Sequence, residues 1–143
     1  MRRSVIVSTL CAALAASSAI GVPEDDLVAA RRDALELAGA WANDGFRLRE
    51  IYWSGTVGNG ETRVVQVNLY AGNQYWFTAA TRGAEKVSVN LFDETGTPVR
   101  SENYQEGPRS AAGFAPGTSG PYFVKVEGTE GRPSAFCLIY SYK

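Results

Sequence analysis

No histidine occurs among the 143 residues. Its absence removes Ser-His-Asp and Cys-His nucleophile systems and imidazole metal sites together, because each needs a ring nitrogen to carry a proton or bind an ion. Ser119 lies in Gly117-Thr118-Ser119-Gly120-Pro121, which misses the G-x-S-x-G elbow and falls between strands, not on a strand-to-helix turn. Gly58-Asn59-Gly60-Glu61-Thr62-Arg63 opens like a dinucleotide-binding loop, but Arg63 stands where the third glycine belongs and a strand follows. Carboxylates are the remaining catalytic material. A glycosidase pair is defined by separation in space, whereas Asp93-Glu94, Glu102 and Glu106 fall in turns and polar loops where solvation accounts for them.

Two acidic clusters carry a metal reading and a plain one. Asp93 and Glu94 are the Ca²⁺ candidates, set against an ordinary turn through Asp93-Glu94-Thr95-Gly96. Glu24-Asp25-Asp26 would have to supply several of the roughly six to eight oxygens Ca²⁺ takes. Three consecutive helical carboxylates point in different directions, however, and at a helix start they complement the dipole. The expectation is therefore no catalytic residue, no cofactor and no metal.

Recognition is the chemistry left. If Tyr75 and Phe77 face a core, Trp76 faces out, along with Phe123 and positions near Tyr70. This outward set is either a platform for a glycan ring or protein side chain, or the seat of a helix; the seat is the reading that satisfies two orphan surfaces at once. Ile51-Tyr52-Trp53 is edge-strand packing or a binding rim. Because loops on rigid sandwiches carry recognition, the candidate contact set is Trp53, Asn59, Asp93, Tyr104 and Arg109.

The elements that would position these residues read in sequence order. Arg2-Arg3, an apolar core from Val5 to Ala16 and small residues at Ser17-Ser18-Ala19 make residues 1–19 an export signal cleaved near Ala19. That core is about 12 residues, short of the roughly 20 a membrane-crossing helix needs, so no span is expected after cleavage. Cys11 lies inside the apolar run and lacks a lipid-attachment context. Without Arg2 and Arg3 the formal charge falls from −1 to about −3, and without basic clusters nucleic acid is not an expected partner. Cys137 remains as a lone thiol, expected to be buried beside Phe136, Leu138 and Ile139.

Residues 20–45 read as a helical segment. Pro23 and three acids start it, Leu27, Ala30, Ala34, Leu37 and Trp41 form one stripe, and Asn43-Asp44-Gly45 ends it. Residues 46–143 then switch to period two. Val65, Val67 and Leu69 alternate, as do Tyr75, Phe77 and Ala79; Val87, Val89 and Leu91; Tyr122, Val124 and Val126; and Phe136, Leu138 and Tyr140. Ser101 to Ser110 reads as a long polar connection. Seven or eight short strands, with connections too short for helical crossovers, predict an all-β, jelly-roll-like antiparallel sandwich with the helix packed on it.

Leu69-Tyr70-Ala71-Gly72-Asn73-Gln74-Tyr75-Trp76-Phe77, Val87 to Gly96 and Gly120-Pro121-Tyr122-Phe123-Val124-Lys125-Val126, with Phe136 and Leu138, resemble the bacterial pre-peptidase C-terminal domain. The resemblance spans about Thr62 to Tyr142. It implies an export-associated β-sandwich of the kind appended to secreted peptidases and other hydrolases, some relatives of which bind fibrous proteins. Here a helix precedes the sandwich, and no metal or substrate residues are carried across. The expectation is an exported, periplasmic or extracellular, non-catalytic module that meets an extracellular protein or polysaccharide. The alternatives are a structural or envelope-assembly component, whose surfaces meet further copies, and a histidine-free hydrolase.

Overall fold

Pro23 presents its carbonyl to the amides of Asp26 and Leu27 at 3.0 and 3.3 Å, and its fixed φ starts α1 (Glu24–Ala42). The computed structural model describes residues 22–58 and 60–143; the expected leader, Cys11 and Asn59 lie outside them. Glu24, Asp25 and Asp26 fill the first turn without a side-chain cap, so they act on the helix through charge. Ala30 and Ala34 are wholly buried, Leu37 and Ala38 nearly so, and Leu27 and Trp41 pack at the border.

Six strands follow among the described residues: β1 (Arg47–Val57), β2 (Thr62–Leu69), β3 (Tyr75–Asp93), β4 (Glu102–Glu106), β5 (Arg109–Phe114) and β6 (Gly120–Tyr142). All pair antiparallel. The sequence suggests more, shorter strands because β3 and β6, at 19 and 23 residues, each serve two layers. Straight strands of that length would reach roughly 60 to 75 Å. They fold in half instead. β3 bends at a register shift between Arg82 and Ala84, where Gly83 takes φ +113°. β6 bends at the same register shift, between Gly131 and Ala135, and nearby a Cβ on Gly128 would sit 3.2 Å from Val57 Cγ1.

One layer has the order β1, β6, β3, β5, β4, using the C-terminal half of β6 and the N-terminal half of β3. The other joins β2 to the remaining halves of β6 and β3. Between them lies the main core. Phe77, Leu138 and Ala79 come from the first layer, and Leu69, Val87, Leu91, Val124 and Val126 from the second. Together they form a two-layer antiparallel β-sandwich with the helix as a third layer.

The helix covers the outer face of the first layer. Its alanines meet a floor of small side chains, Ala80, Ala135 and Cys137, with Ile139 beside them. Trp76 faces outward there, and Trp41 stacks on it at 4.0 Å and 4° between planes, while Trp41 Nε1 donates to Thr78 Oγ1 at 3.1 Å. A Cβ on Gly113 would lie 2.9 Å from the Trp76 ring, so only glycine admits the indole against the sheet. Asp33 closes the flank by an ion pair to Arg82 at 2.8 Å.

Three expectations are corrected. Phe123 does not seat the helix, since the bend in β6 places it opposite Phe92 in the second layer. Tyr70 follows the end of β2 and is exposed, away from the helix. The polar stretch from Ser101 to Ser110 is the β4–β5 hairpin. All five β4 residues are exposed, and an edge strand without an apolar face gives no alternation to read.

Trp41→Ala removes a half-buried ring and a hydrogen bond, so urea unfolding should show a loss of about 2 to 4 kcal/mol, near the lower bound for aromatic truncation. Gly113→Ala should cost about 1 to 3 kcal/mol by overpacking and weaken the near-ultraviolet dichroism of the coupled indoles. Burial pushes the Cys137 thiol up to about 11. A thiol reagent at pH 8 should therefore label the folded protein at the rate of unfolding, not of free cysteine.

Candidate functional site

β1 and β2 follow one another along a single edge of β6, with the fold of the sandwich between them. They therefore carry the free margins of the two layers on the same side, and a cleft runs between those margins. Its lining is unlike the rest of the surface. One part, about 240 Å³, lies among Ile51, Trp53, Gln66, Asn68 and Tyr140. The next, about 150 Å³, lies among Asn68, Asn73, Tyr75, Tyr140 and Tyr142. Arg49 and Tyr70 border both, and a shallower hollow of about 600 Å³ along Leu48, Glu50 and Ile51 reaches Arg49 and Tyr142 from outside.

Alternation explains how β1 supplies this wall. Trp53 turns inward and lies nearly parallel to Tyr140, with centroids 6.0 Å apart and 18° between planes. Arg49 stands at the open end, its guanidinium 6.0 Å from the Tyr142 ring centroid, and among the described residues no carboxylate pairs with it. Tyr75 is a fixed floor, since its hydroxyl accepts from the Tyr70 amide at 3.0 Å and from Asn73 Nδ2 at 3.2 Å. Tyr70 is thereby held in place by its backbone while its ring stays 61% exposed. The cleft thus combines aromatic faces, side-chain amides and one free cation. That donor set suits ring stacking and hydrogen bonding.

A second hollow, about 460 Å³, opens beside Trp76 among Phe46, Arg100, Glu102 and Phe114. It is larger than either inner part of the cleft, but Trp76 is held between Trp41 and Gly113, so its ring faces are already occupied. The cleft offers the exposed Tyr70 ring beside Arg49 and is the better candidate.

The residues singled out in sequence do not converge. Trp53 lines the cleft, and Asn59 falls outside the described residues. Asp93 sits at the far end of β3, where its Oδ1 accepts from the amides of Thr95 and Thr97 at 2.9 and 3.0 Å and from Thr95 Oγ1 at 2.6 Å. These bonds, led by the Thr95 hydroxyl, hold its carboxyl below the ordinary value. Glu94 beside it is exposed in the turn. Tyr104 and Arg109 lie on the helix-covered face instead. Tyr104 donates to Glu106 and meets the edge of Trp41 at 6.3 Å, and Arg109 bridges Glu106 at 2.9 Å and Glu36 at 3.9 Å. The Tyr104 bond, then the Arg109 bond, lowers the Glu106 carboxyl, and the same partner raises the Tyr104 hydroxyl. Sequence reasoning passed over Arg49, Gln66 and Asn68 because only the folded edge of β6 brings them together. Four tyrosines near strand ends, at 70, 75, 140 and 142, were the available signal.

No family model matches the chain, and no curated protein matches it. Among solved structures, a de novo designed double-stranded beta-helix determined by solution NMR matches with a TM-score of 0.38 and 19% identity, over 63% of this chain and 97% of its own. A similarity at that level carries no argument about function.

Asp93 gives a pH dependence with a fixed sign. Its folded value lies below 3.8, so its contribution is present above 3.8 and is lost as pH falls through the lower folded value. Asp93→Asn should flatten the acid limb of the stability profile and leave stability above pH 6 little changed, as read by thermal unfolding across a pH series.

Proposed function

We propose that this protein is an exported, non-catalytic recognition module that holds an extended extracellular polymer, protein or polysaccharide, in the cleft between β1 and β2. The observation that carries the reading is the convergence of three hollows on Arg49, beside the exposed Tyr70 ring and the half-buried rings of Trp53 and Tyr142. Stacking a ring or apolar side chain on Tyr70 and Trp53 desolvates apolar area, and Arg49 with Asn68 fixes polar groups alongside. The resemblance of the strand and turn residues to pre-peptidase C-terminal domains is consistent with such a role, as is the export signal read in residues 1–19.

The acids argue in the same direction. A general acid working near neutrality needs a raised carboxyl pKa, whereas Asp93 and Glu106 are both lowered. A rival reading, an assembly component, draws on the exposed Leu48, Ile51 and Val64 of the same margin. Light scattering over a concentration series separates the two. The recognition reading expects a monomer throughout.

Binding is tested by isothermal titration against soluble chitin and cellulose oligomers, peptidoglycan fragments, gelatin and elastin peptides. Tyr70→Ala and Arg49→Gln remove exposed groups, so each should leave the melting temperature within about 2 °C and weaken binding about tenfold, equivalent to ~1.4 kcal/mol. Equal binding by both variants would remove the cleft from the account.

A further inference from the structure

The four margins of the sandwich are not equally defended against pairing with another chain. On the first layer, β1 carries a register shift between Leu48 and Tyr52 together with Arg47, Arg49 and Glu50. At its other edge β4 is five exposed residues with Glu102 and Glu106 at its ends. On the second layer, the outer side of β3 is covered. The Val87 amide bonds Gly107 O at 3.2 Å, the Val99 amide bonds Leu91 O at 3.0 Å, and Pro98 bridges Phe92. Bulges, charges, short length, proline and covering segments are the devices by which sheets block edge pairing.

β2 has only the charge of Arg63 near its start. Its sequence Thr-Arg-Val-Val-Gln-Val-Asn-Leu contains one charge and no proline, its eight residues pair with β6 without a register shift, and among the described residues its other side is unpaired. Val64 on it is 56% exposed. Resting on the recognition reading above, we infer that the ligand is an extended polypeptide segment that adds to β2 as a further strand. In that position every second side chain of the segment points inward, toward Trp53 and Tyr140, and the others lie along the face that carries Val64, Gln66 and Asn68. Backbone bonds to β2 supply register, and the rings supply selectivity for apolar residues at alternate positions.

Charge selects among occupants. Arg49 lies beside Asn68 at one end of β2, and Arg63 lies at the other, with only a 3.8 Å contact to Glu61. Antiparallel pairing of β2 with a second copy of itself over its full length brings Arg63 of each copy opposite Leu69 of the other, at the end that Arg49 borders through Asn68 and Tyr70. Two like-charge pairs then oppose the dimer. A segment carrying a carboxylate at the Arg49 end meets attraction at the same place. The occupant is therefore an alternately apolar segment with an acidic residue near one end.

The test begins with selection of linear twelve-residue peptides from a displayed random library on the purified protein. Selected peptides should show apolar residues at alternate positions and Asp or Glu near one end, and Arg49→Gln should weaken them at least tenfold. N-methylation of alternate peptide amides should abolish binding. Residue-resolved hydrogen exchange should slow alternate amides of Thr62–Leu69 at least tenfold when the peptide is bound. Peptides that bind without slowing β2, or oligosaccharides that bind where no peptide does, overturn strand addition while leaving the cleft as a binding site. Concentration-dependent slowing of β2 without peptide replaces the partner by a second copy. No binding by either class removes both readings.

Discussion

The rest of the structure depends on the bend shared by β3 and β6. Two strands long enough to make one broad sheet instead bend at the register shift of Gly83 against the β6 segment between Gly131 and Ala135, so each contributes to both layers. A sandwich built this way has its layers joined by continuous backbone, and burying Phe77, Leu138, Val87 and Val124 between them stabilises the bend as much as the bend positions them. At roughly 25 cal/mol per Å² of apolar surface, such burial is the main force available to a chain whose one described cysteine is unpaired. A β-branched residue at Gly128, near the crease, would meet Val57.

Two consequences of the bend lie on opposite sides of the molecule. On the outer face of the first layer, small residues leave a trough that α1 fills, and the Gly113, Trp76 and Trp41 stack fixes where the helix stops. On the β1–β2 margin, the same fold separates two strands that would otherwise be one continuous edge. Trp41 and Trp76 on the outer face are spent on packing, whereas Tyr70 at the margin remains exposed.

The helix was legible because Ala30, Ala34 and Leu37 keep a 3.6-residue period, and the core strands because Val65, Val67, Leu69 and their counterparts keep a period of two. The burial of Cys137 and the outward turn of Trp76 beneath the helix followed from the same alternation. Continuity was not legible. Arg82-Gly83 reads as a turn in any window of sequence, and whether it reverses the chain or only bends it is decided by pairing with β6, more than 40 residues away. The β4–β5 hairpin was hidden because edge strands need no apolar face. The cleft was hidden for a related reason: Arg49, Asn68 and Tyr142 share no local pattern, and their proximity is created by the shared edge of β6.

The central claim is that this margin, and not the covered face or the far turn, is where the protein meets its ligand. Backbone amide shifts followed by NMR during titration with a bound polymer test it most directly. The account predicts that the largest changes cluster on Arg49, Trp53, Gln66, Asn68 and Tyr70, with α1 and the Asp93 turn unchanged. Changes centred on the hollow beside Trp76, or on the outer face around Phe92 and Phe123, would contradict it.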